Sequence, residues 1–471
     1  MGEYVVHNVK LYDFKPQAIH CLSFDETQSK LAVSRADNSI EIWDLQRSIY
    51  QEKFIPGNST RSIESLKWVS KRLFSTGLQG DLTEYDLLRL CPKKSIYATP
   101  SACWCMDVNS VHTLLAIGTE EGYICLFDVD NKEAEYERAL DKQEGRILCL
   151  AWHYSGEFIV SGSVDVLRIW SEENVVCASG VDSTIISFQP VFKRGESERA
   201  NWVKSGIRSA HTHDIRALTF ANYFLVSGGV DSYLNVIRYP EESRFFYSPL
   251  PQCPTVQVAK KTNIMLFRYP RHLELWKLGQ ADEQSHDGTD GTQCKLVELK
   301  AKENETIVCC DLSDDSQWLA YSTTTQLRLF QVVMETLDHN TQISLLRVRY
   351  IPPGCFPCHR MLFTPDSSKL VVVSDKAIIH VLSVDNIQPC LLHTLAPPTD
   401  IFKRIDSIHL LAVSSDCNYA ATGDHLSNVF VYDLKKGKFH CALPKNAFQP
   451  TAMAFNPKTN DLVVTYCDKK V

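Results

Sequence analysis

The chain has 471 residues, of which 44% are hydrophobic and 22% charged, a composition typical of globular proteins that excludes global disorder. Its formal net charge is −7, which argues against a surface that holds nucleic acid by charge alone. The apolar runs fall far short of the roughly 20 residues that a membrane helix needs, and the first residues do not predict a secretory signal. The 17 cysteines are therefore expected to be reduced and mostly buried.

One pattern recurs along the chain: an apolar strand, a turn of small residues, and a second strand that ends in an aromatic residue and often an aspartate. It occurs at Lys30–Leu45, Arg72–Leu87, Leu114–Val129, Phe158–Ser171 and Phe224–Tyr239. Weaker copies are expected at 263–278, 318–332, 369–384 and 419–434. No segment shows a sustained helical period, so the pattern predicts strands throughout.

The spacing of these copies predicts their architecture. Asp44, Asp86 and Asp128 end three of them and lie 42 residues apart. This is the period of WD40 repeats, in which four strands form one blade of a β-propeller. A single blade cannot bury both of its faces, whereas blades packed in a ring can. We therefore predict an all-β chain of tandem WD40 β-propellers.

A polar, proline-containing stretch at 240–254 separates the regular copies from the weaker ones and predicts a junction between two propellers. The expected domains are residues 1–245 and 246–471. The second domain ends inside a blade, so it is expected to be truncated at its C-terminus.

The first domain is expected to contain an irregular seam. Val175–Pro190 has the pattern of a second and third strand, but it starts too soon after Ser171. A loss of blades is therefore expected near 171–175. The remaining fragment is expected either to complete a poor sixth blade with Trp202–Ile207 or nearby chain, or to leave the ring open. The segment Glu3–Phe14 is expected to pair beside Phe224–Tyr239 and so to close the first ring.

Ten side chains are expected to have structural roles in the blades. An aspartate that recurs once per blade in the same turn is typical of turn formation rather than of catalysis. A histidine ahead of the first strand is expected to bond to the turn aspartate of its own blade, which pairs His211 with Asp231. The ten residues are Asp37, Trp43, Asp44, Asp81, Asp86, Asp128, Asp165, Trp170, His211 and Asp231.

Two short stretches match chemical motifs only formally. His211–Asp214 resembles the start of a metal site, but the structural role of His211 is favoured. Cys355–His359 matches the C-x-x-C-H pattern of haem attachment, yet nothing else in the sequence indicates export, and no second cysteine pair has zinc spacing. Phosphate-binding loops and nucleophile elbows are absent from the sequence. No catalytic, cofactor-binding or metal-binding residue is therefore predicted.

Several runs outside the general repeat pattern resemble the cirhin family, whose members are double WD40 propeller subunits of the small-subunit processome. These runs are Leu31–Arg35, Gln51–Phe54, His211–Arg216, Arg271–Gly279, Trp318–Thr323 and Thr451–Ala454. Compared with the two complete rings of that family, this chain is expected to lack about one and a half blades at the seam and its C-terminal end.

The resemblance implies a non-enzymatic scaffold of the early processome module. Such a protein acts in transcription and processing of pre-ribosomal RNA, in the nucleolus of the nucleus, with other propeller and helical-tail proteins as partners. It implies no cofactor and no membrane. Short basic runs at 93–94, 260–261, 435–438 and 469–470 are expected to be solvated turns, with weak contacts to pre-ribosomal RNA as the alternative.

Two other functions fit the same fold. One is a substrate receptor of a ubiquitin ligase or a histone-binding propeller, which an exposed aromatic or acidic pocket would favour. The other is an enzyme, which needs polar ligands that converge on the propeller axis. The inner strands are apolar and small, so no enzymatic activity is predicted.

Overall fold

The computed structural model describes residues 12–46, 49–131, 133–153, 156, 159–162, 170–172, 175–179, 183–192, 200–238, 243–251, 253–277, 294–302, 305–337, 340–355, 357–385, 388–398 and 405–468. All regular elements in these ranges are β-strands, and they pair in antiparallel sheets. The prediction of an all-β fold is therefore confirmed.

The chain forms two compact units, Lys15–Leu250 and Pro251–Val471. The second unit also takes in Met1–Phe14, of which Tyr12–Phe14 lie within the described residues. Below, the units are called the 15–250 unit and the 251–471 unit.

The 15–250 unit contains six sheets in its described part, numbered here in chain order. Sheet 1 consists of β1 (Ile19–Asp25), β2 (Lys30–Arg35), β3 (Ile40–Asp44) and β4 (Tyr50–Ile55). Sheet 2 consists of β5 (Ser65–Val69), β6 (Arg72–Thr76), β7 (Asp81–Asp86) and β8 (Cys91–Tyr97). Sheet 3 consists of β9 (Cys103–Val108), β10 (Leu114–Thr119), β11 (Ile124–Asp128) and β12 (Glu135–Ala139).

The remaining three sheets of this unit are less uniform. Sheet 4 has two strands among the described residues, β13 (Cys149–Trp152) and β14 (Ile159–Gly162). Sheet 5 consists of β15 (Trp170–Glu172), β16 (Val175–Ser179), β17 (Thr184–Phe192) and β18 (Ala200–Ser209). Sheet 6 consists of β19 (Ile215–Ala221), β20 (Phe224–Gly229), β21 (Leu234–Arg238) and β22 (Arg244–Tyr247).

The 251–471 unit contains sheets 7 to 11 in its described part. Sheet 7 consists of β23 (Val256–Ala259), β24 (Ile264–Arg268), β25 (His272–Lys277) and β26 (Cys294–Lys300). Sheet 8 consists of β27 (Ile307–Leu312), β28 (Trp318–Thr323), β29 (Leu327–Leu337) and β30 (Asn340–Arg347). Sheet 9 consists of β31 (Cys358–Phe363), β32 (Lys369–Ser374), β33 (Ile379–Ser383) and β34 (Cys390–Leu395). Sheet 10 consists of β35 (Ile408–Val413), β36 (Tyr419–Asp424), β37 (Val429–Asp433) and β38 (Lys438–Ala442), and sheet 11 of β39 (Pro450–Phe455) and β40 (Leu462–Tyr466).

The second strand of a sheet is buried on both faces. In β32, Leu370, Val371, Val372 and Val373 are all inaccessible to solvent. Because neighbouring sheets cover both faces, such a strand is a continuous apolar run rather than an alternating one. Successive residues of such a strand face opposite sides of the sheet. Leu370 and Val372 therefore belong to one core, and Val371 and Val373 to the next.

Neighbouring sheets share these cores. Ile19 and Leu31 of sheet 1 pack with Val226 and Val236 of sheet 6, so the first and last sheets of the 15–250 unit are in contact. Space is short at these junctions, since a Cβ added at Gly228 would lie 2.5 Å from Ile19 Cγ2. Sheets 1 to 4 share cores in the same way, each with the next.

The seam of the 15–250 unit differs from expectation. Val175–Pro190 does form paired strands: β16 pairs with β17, and Val176 lies opposite Phe188. β18 pairs with β17 and completes the sheet. Trp170, expected at the end of a third strand beside β14, instead pairs with Cys177 in sheet 5. β15 pairs with β16, the next strand in the sequence, because closing a short connection costs little chain entropy.

The predicted place of the N-terminal segment is wrong. The outer neighbour of β21 is β22, in which Phe246 lies opposite Asn235. Because β22 follows β21 after a short connection, it pairs there at a lower cost in chain entropy than a segment from the start of the chain. Residues 3–11 of the predicted strand lie outside the described residues.

The described start of the chain contacts the 251–471 unit. The Tyr12 ring stacks on Tyr269 with 4.8 Å between centroids, and its hydroxyl donates to the carbonyl oxygen of Arg268 at 3.0 Å. The Asp13 N–H donates to the Tyr269 hydroxyl at 3.3 Å. Tyr12 and Asp13 therefore pack on the 251–471 unit, although the 15–250 unit follows them in the sequence.

Candidate interaction site

Aspartates close the turns that follow the third strands. The Oδ1 atom of Asp44 accepts the N–H of Gln46 at 2.8 Å, and that of Asp128 accepts the N–H of Asp130 at 2.9 Å. The Oδ1 atom of Asp86 accepts two N–H groups, from Leu88 and Arg89. This Asx turn is a local arrangement that the carboxylate makes with its own backbone. It accounts for the recurrence of aspartate at this position.

We expect Asp128→Ala to lower the free energy of unfolding by about 1 kcal/mol, because the Asp130 N–H loses its acceptor. Asp128→Asn keeps an acceptor oxygen and should cost less than half as much. Asp130→Ala is the matched control on the same exposed turn. Urea unfolding of the three variants measures the difference, and equal stability of the alanine and asparagine variants would rule out the turn as the source.

The other turn aspartates differ from one another. Asp37 Oδ1 accepts the Ser39 N–H at 3.1 Å and the Ser39 hydroxyl at 2.6 Å. Asp81 is the first residue of β7 rather than a turn residue, and its Oδ2 accepts the Thr83 hydroxyl at 3.2 Å. Asp165 lies outside the described residues.

Trp43 is fixed by a buried ion pair that sequence reasoning did not predict. Its Nε1 donates to Glu41 Oε2 at 3.0 Å, and Arg35 Nε donates to Glu41 Oε1 at 2.7 Å. Arg35 Nη1 also donates to the carbonyl oxygen of Ser232 at 2.8 Å. This one arginine therefore connects sheet 1 with the β20–β21 turn of sheet 6.

His211 bonds through both ring nitrogens. Nδ1 lies 2.9 Å from Asp231 Oδ1, and Nε2 lies 2.8 Å from Ser227 Oγ. Burial raises the pKa of Asp231, but hydrogen bonds from the Thr212 N–H and from His211 outweigh it, so this pKa lies below its ordinary value. An ionised carboxylate only accepts hydrogen bonds, so Nδ1 carries a proton and donates to Asp231, while Nε2 bonds to the Ser227 hydroxyl. Every polar atom of the ring is therefore used inside the blade.

The C-x-x-C-H stretch is packed into sheet 9. The Cys358 thiol donates to the carbonyl oxygen of Cys355 at 2.6 Å, and both cysteines are inaccessible to solvent. Burial raises the pKa of Cys355 to about 11 and that of Cys358 well above its ordinary value. His359 is also buried. These thiols are therefore protonated at neutral pH.

The first strands share an irregularity that the sequence pattern does not reveal. In seven of them the ladder skips one residue near the start of the strand. A bulge of this kind leaves the skipped residue unpaired and redirects its side chain. The skipped residues are His20, Trp104, Arg216, Val308, His359, His409 and Thr451.

Skipped residues of neighbouring sheets lie close together. Burial lowers the pKa of His20, the positive charge of Arg216 lowers it further, and Glu64 opposes both. His20 is in sheet 1, Arg216 in sheet 6, and Glu64 directly precedes β5 of sheet 2. His20, Glu64 and Arg216 therefore form one polar cluster, which we call the inner rim of the 15–250 unit. In sheet 3, Trp104 Nε1 donates to Glu120 Oε2 at 2.6 Å.

Similar contacts occur in the 251–471 unit. His409 Nε2 lies 2.8 Å from the carbonyl oxygen of Pro450 in sheet 11, and the His409 ring stacks on His425 with 4.2 Å between centroids. Charged, aromatic and imidazole groups at strand ends are suited to polar contacts with a partner protein.

Of the seven lysines of the basic runs that the structure describes, four pair with carboxylates or carbonyls. Lys93 Nζ lies 2.8 Å from Glu84 Oε1, and Lys436 Nζ lies 3.4 Å from Asp433 Oδ2. Lys94 pairs with Glu133. Lys261 Nζ donates to the carbonyl oxygen of Pro365 at 3.5 Å. Lys469 and Lys470 lie outside the described residues.

Within the described ranges, no group of three or more histidine, cysteine, aspartate or glutamate side chains is arranged to hold a metal ion. No helix in that part of the chain is long and apolar enough to cross a membrane.

Residues 8–44 and 135–171 match the family model described as WD domain, G-beta repeat. These two matches identify WD40 repeats in the chain. The first match covers β1, β2 and β3, and the second ends in β15, at the seam.

Three curated proteins align with the chain along nearly its whole length. It is 29% identical to the U3 small nucleolar RNA-associated protein 4 homolog of Mus musculus over 557 residues, with 100% of this chain and 80% of the relative covered. The Homo sapiens homolog is 29% identical over 559 residues, with the same coverage. The U3 small nucleolar RNA-associated protein 4 of Saccharomyces cerevisiae is 24% identical over 577 residues, covering 99% of this chain and 72% of the relative.

Proposed function

We propose that the protein is a non-enzymatic scaffold subunit of the small-subunit processome and acts in the processing of pre-ribosomal RNA. The observation that carries this proposal is the similarity to U3 small nucleolar RNA-associated protein 4 from yeast to mammals, which extends over both units. Propeller rims built from strand ends and turns offer many separate contact surfaces, as a scaffold requires. Other processome subunits are the proposed partners, and the nucleolus is the proposed location.

The absence of enzymatic activity is part of the same proposal. Its support is that the turn aspartates bond to their own backbone. The Ser227 hydroxyl does contact His211, but both side chains are inaccessible to solvent, so a substrate cannot reach them. The paired lysines favour protein partners over direct RNA contact, because their charge is already compensated.

We further infer that the chain has fewer blades than these relatives. The alignment with the mouse protein spans 557 positions, whereas this chain has 471 residues, so gaps open in this chain. Sheet 4, with two described strands beside the seam, is the proposed place of the shortening.

Affinity purification of the tagged protein from cells at moderate salt tests the function. We expect ribosome-assembly factors and pre-ribosomal RNA to co-purify and the tagged protein to concentrate in nucleoli. A tagged, unrelated WD40 propeller serves as the control. Recovery of ubiquitin-ligase subunits or histones instead, with a diffuse signal, would overturn the proposal.

A further inference from the structure

Arg360 lies in β31 and is half-buried. Its Nε donates to the carbonyl oxygen of His409 at 2.7 Å, and its Nη1 donates to that of His359 at 2.8 Å. Its Nη2 lies 2.9 Å from the sulfur of Cys253. All three acceptors are formally neutral groups, so the guanidinium charge remains uncompensated by them.

Arg268, at the end of β24, is also half-buried. Its Nη1 donates to the carbonyl oxygen of Val308, in β27 of the neighbouring sheet. Its own N–H donates to the carbonyl oxygen of Thr255 at 2.8 Å, two residues after Cys253. Arg268 is therefore held against the same short segment that Arg360 reaches.

The charges of the two guanidinium groups both lower the pKa of one thiol, that of Cys309. Burial raises the pKa of Cys309 to about 12, and the positive charges of Arg360 and Arg268 both oppose that rise. Cys309 directly follows Val308 in β27, and its thiol donates to the carbonyl oxygen of Cys358 at 3.3 Å. Contacts from three sheets thus bring the arginines together at the start of the first strands.

This arginine pair differs from three other half-buried or buried arginines in the described ranges. Arg35, Arg72 and Arg328 each bond to a carboxylate, from Glu41, Glu84 and Glu305 respectively. In the part of the chain that the structure describes, neither Arg268 nor Arg360 forms an ion pair. Both guanidinium groups are only partly buried, and without a carboxylate beside them their charges are available to an anion from outside the chain.

We propose that Arg268 and Arg360 bind a carboxylate, presented by an acidic side chain in an extended segment of a partner protein. The planar fork of arginine matches a carboxylate through two parallel hydrogen bonds. Val256 and Val258, on the adjoining strand β23, are 37% and 47% exposed and provide apolar surface for residues that flank the acid. A nucleic-acid backbone requires a row of cations, whereas here two half-buried cations stand on a chain of net charge −7.

This inference rests on the proposed scaffold role, since it names the chemistry of one docked partner. The two proposals are tested separately. Co-purification from cells tests the scaffold role, whereas binding of a defined peptide tests the arginine site.

Fluorescence anisotropy of a labelled hexaglutamate peptide, titrated with the purified full chain at fixed salt, tests the site. We expect Arg268→Gln and Arg360→Gln each to weaken binding by about tenfold or more, as expected for the loss of a charged hydrogen bond. The double variant Arg347→Gln/Arg349→Gln is the control, because it removes two exposed positive charges from the same unit. Its affinity should equal that of the unchanged protein.

A second measurement uses the unchanged protein, so it does not depend on whether a variant folds. Phenylglyoxal modifies accessible arginines, and mass spectrometry locates the modified positions. The peptide should protect Arg268 and Arg360 and leave Arg347 and Arg349 reactive. Each of three results would overturn the proposal. The first is that the peptide does not bind, and the second is that it protects all four arginines equally. The third is that a labelled oligouridine RNA binds more tightly than the peptide and that the same two substitutions abolish this binding.

Discussion

Replacing His211 with alanine is expected to lower the free energy of unfolding by roughly 3 kcal/mol. The substitution removes the partner of two buried groups at once, the Asp231 carboxylate and the Ser227 hydroxyl. The side chain of His211 is completely buried and that of Asp231 is 6% exposed, so water cannot replace the lost bonds without opening the blade. Thermal and urea unfolding of the full chain measure the loss.

His213→Ala provides the control for this substitution. His213 is two residues away and exposed, and its Nδ1 contacts the Thr212 hydroxyl. We expect it to change stability by no more than about 0.5 kcal/mol. If both alanine variants unfold alike, the His211–Asp231–Ser227 contacts do not stabilise the blade.

The same contacts predict an acid dependence. Because the pKa of Asp231 is lower in the folded protein than its ordinary value of 3.8, its stabilising contribution is complete above that pH and is lost as the pH falls through the lower, folded-state value. The His211→Ala variant should therefore lose less stability below about pH 4 than the unchanged protein does.

The second large effect is expected at Asp311, which is buried between sheets 8 and 9. Burial raises the pKa of this carboxyl to about 7, although the N–H groups of Phe363 and Leu312 act in the opposite direction. The Phe363 N–H donates to Asp311 Oδ2 at 2.5 Å. In the unfolded chain the carboxyl ionises near its ordinary value of 3.8.

Between about pH 4 and pH 7 the folded protein therefore binds one more proton at Asp311 than the unfolded chain does. Stability must fall as the pH rises through this range, by at most about 4 kcal/mol, and stay constant above it. Asp311→Asn is neutral at every pH and keeps an oxygen that accepts the Phe363 N–H. We expect this variant to lose the pH dependence and to be the more stable form at pH 7.5.

Urea midpoints at pH 5 and pH 7.5 test this expectation. Asp385→Asn is the control, since it removes an exposed carboxylate from the same unit. An unchanged difference between the two midpoints in the Asp311→Asn variant would show that another group is responsible.

Much of the fold follows from local sequence. The regular spacing of Asp44, Asp86 and Asp128 predicted strand ends correctly, because an Asx turn is formed within three residues of its aspartate. The partnership of His211 and Asp231 was also predictable, since both lie at fixed places in one repeat. Sequence reasoning failed at Trp170, where an apolar strand pattern does not specify which neighbour it pairs with.

The candidate site was the least predictable part. The skipped residues, such as Trp104 and His409, have no common residue type, so no motif marks them. Arg268 and Arg360 are far apart in the chain, and neither occurs in a basic run. Only the packing of sheets 7, 8 and 9 brings their guanidinium groups to the same thiol.

The sequence by itself determined that the chain is a repeating all-β protein, because each hairpin and turn is specified by residues close together in the chain. The tertiary structure alone decided where Tyr12–Phe14 and the strands of sheet 5 lie. Tyr12 docks on Tyr269, and Arg35 bonds to the Ser232 carbonyl, across the whole length of a unit. Such contacts depend on how many sheets pack side by side before the chain returns. That number is set by the space each blade fills, which no local pattern encodes.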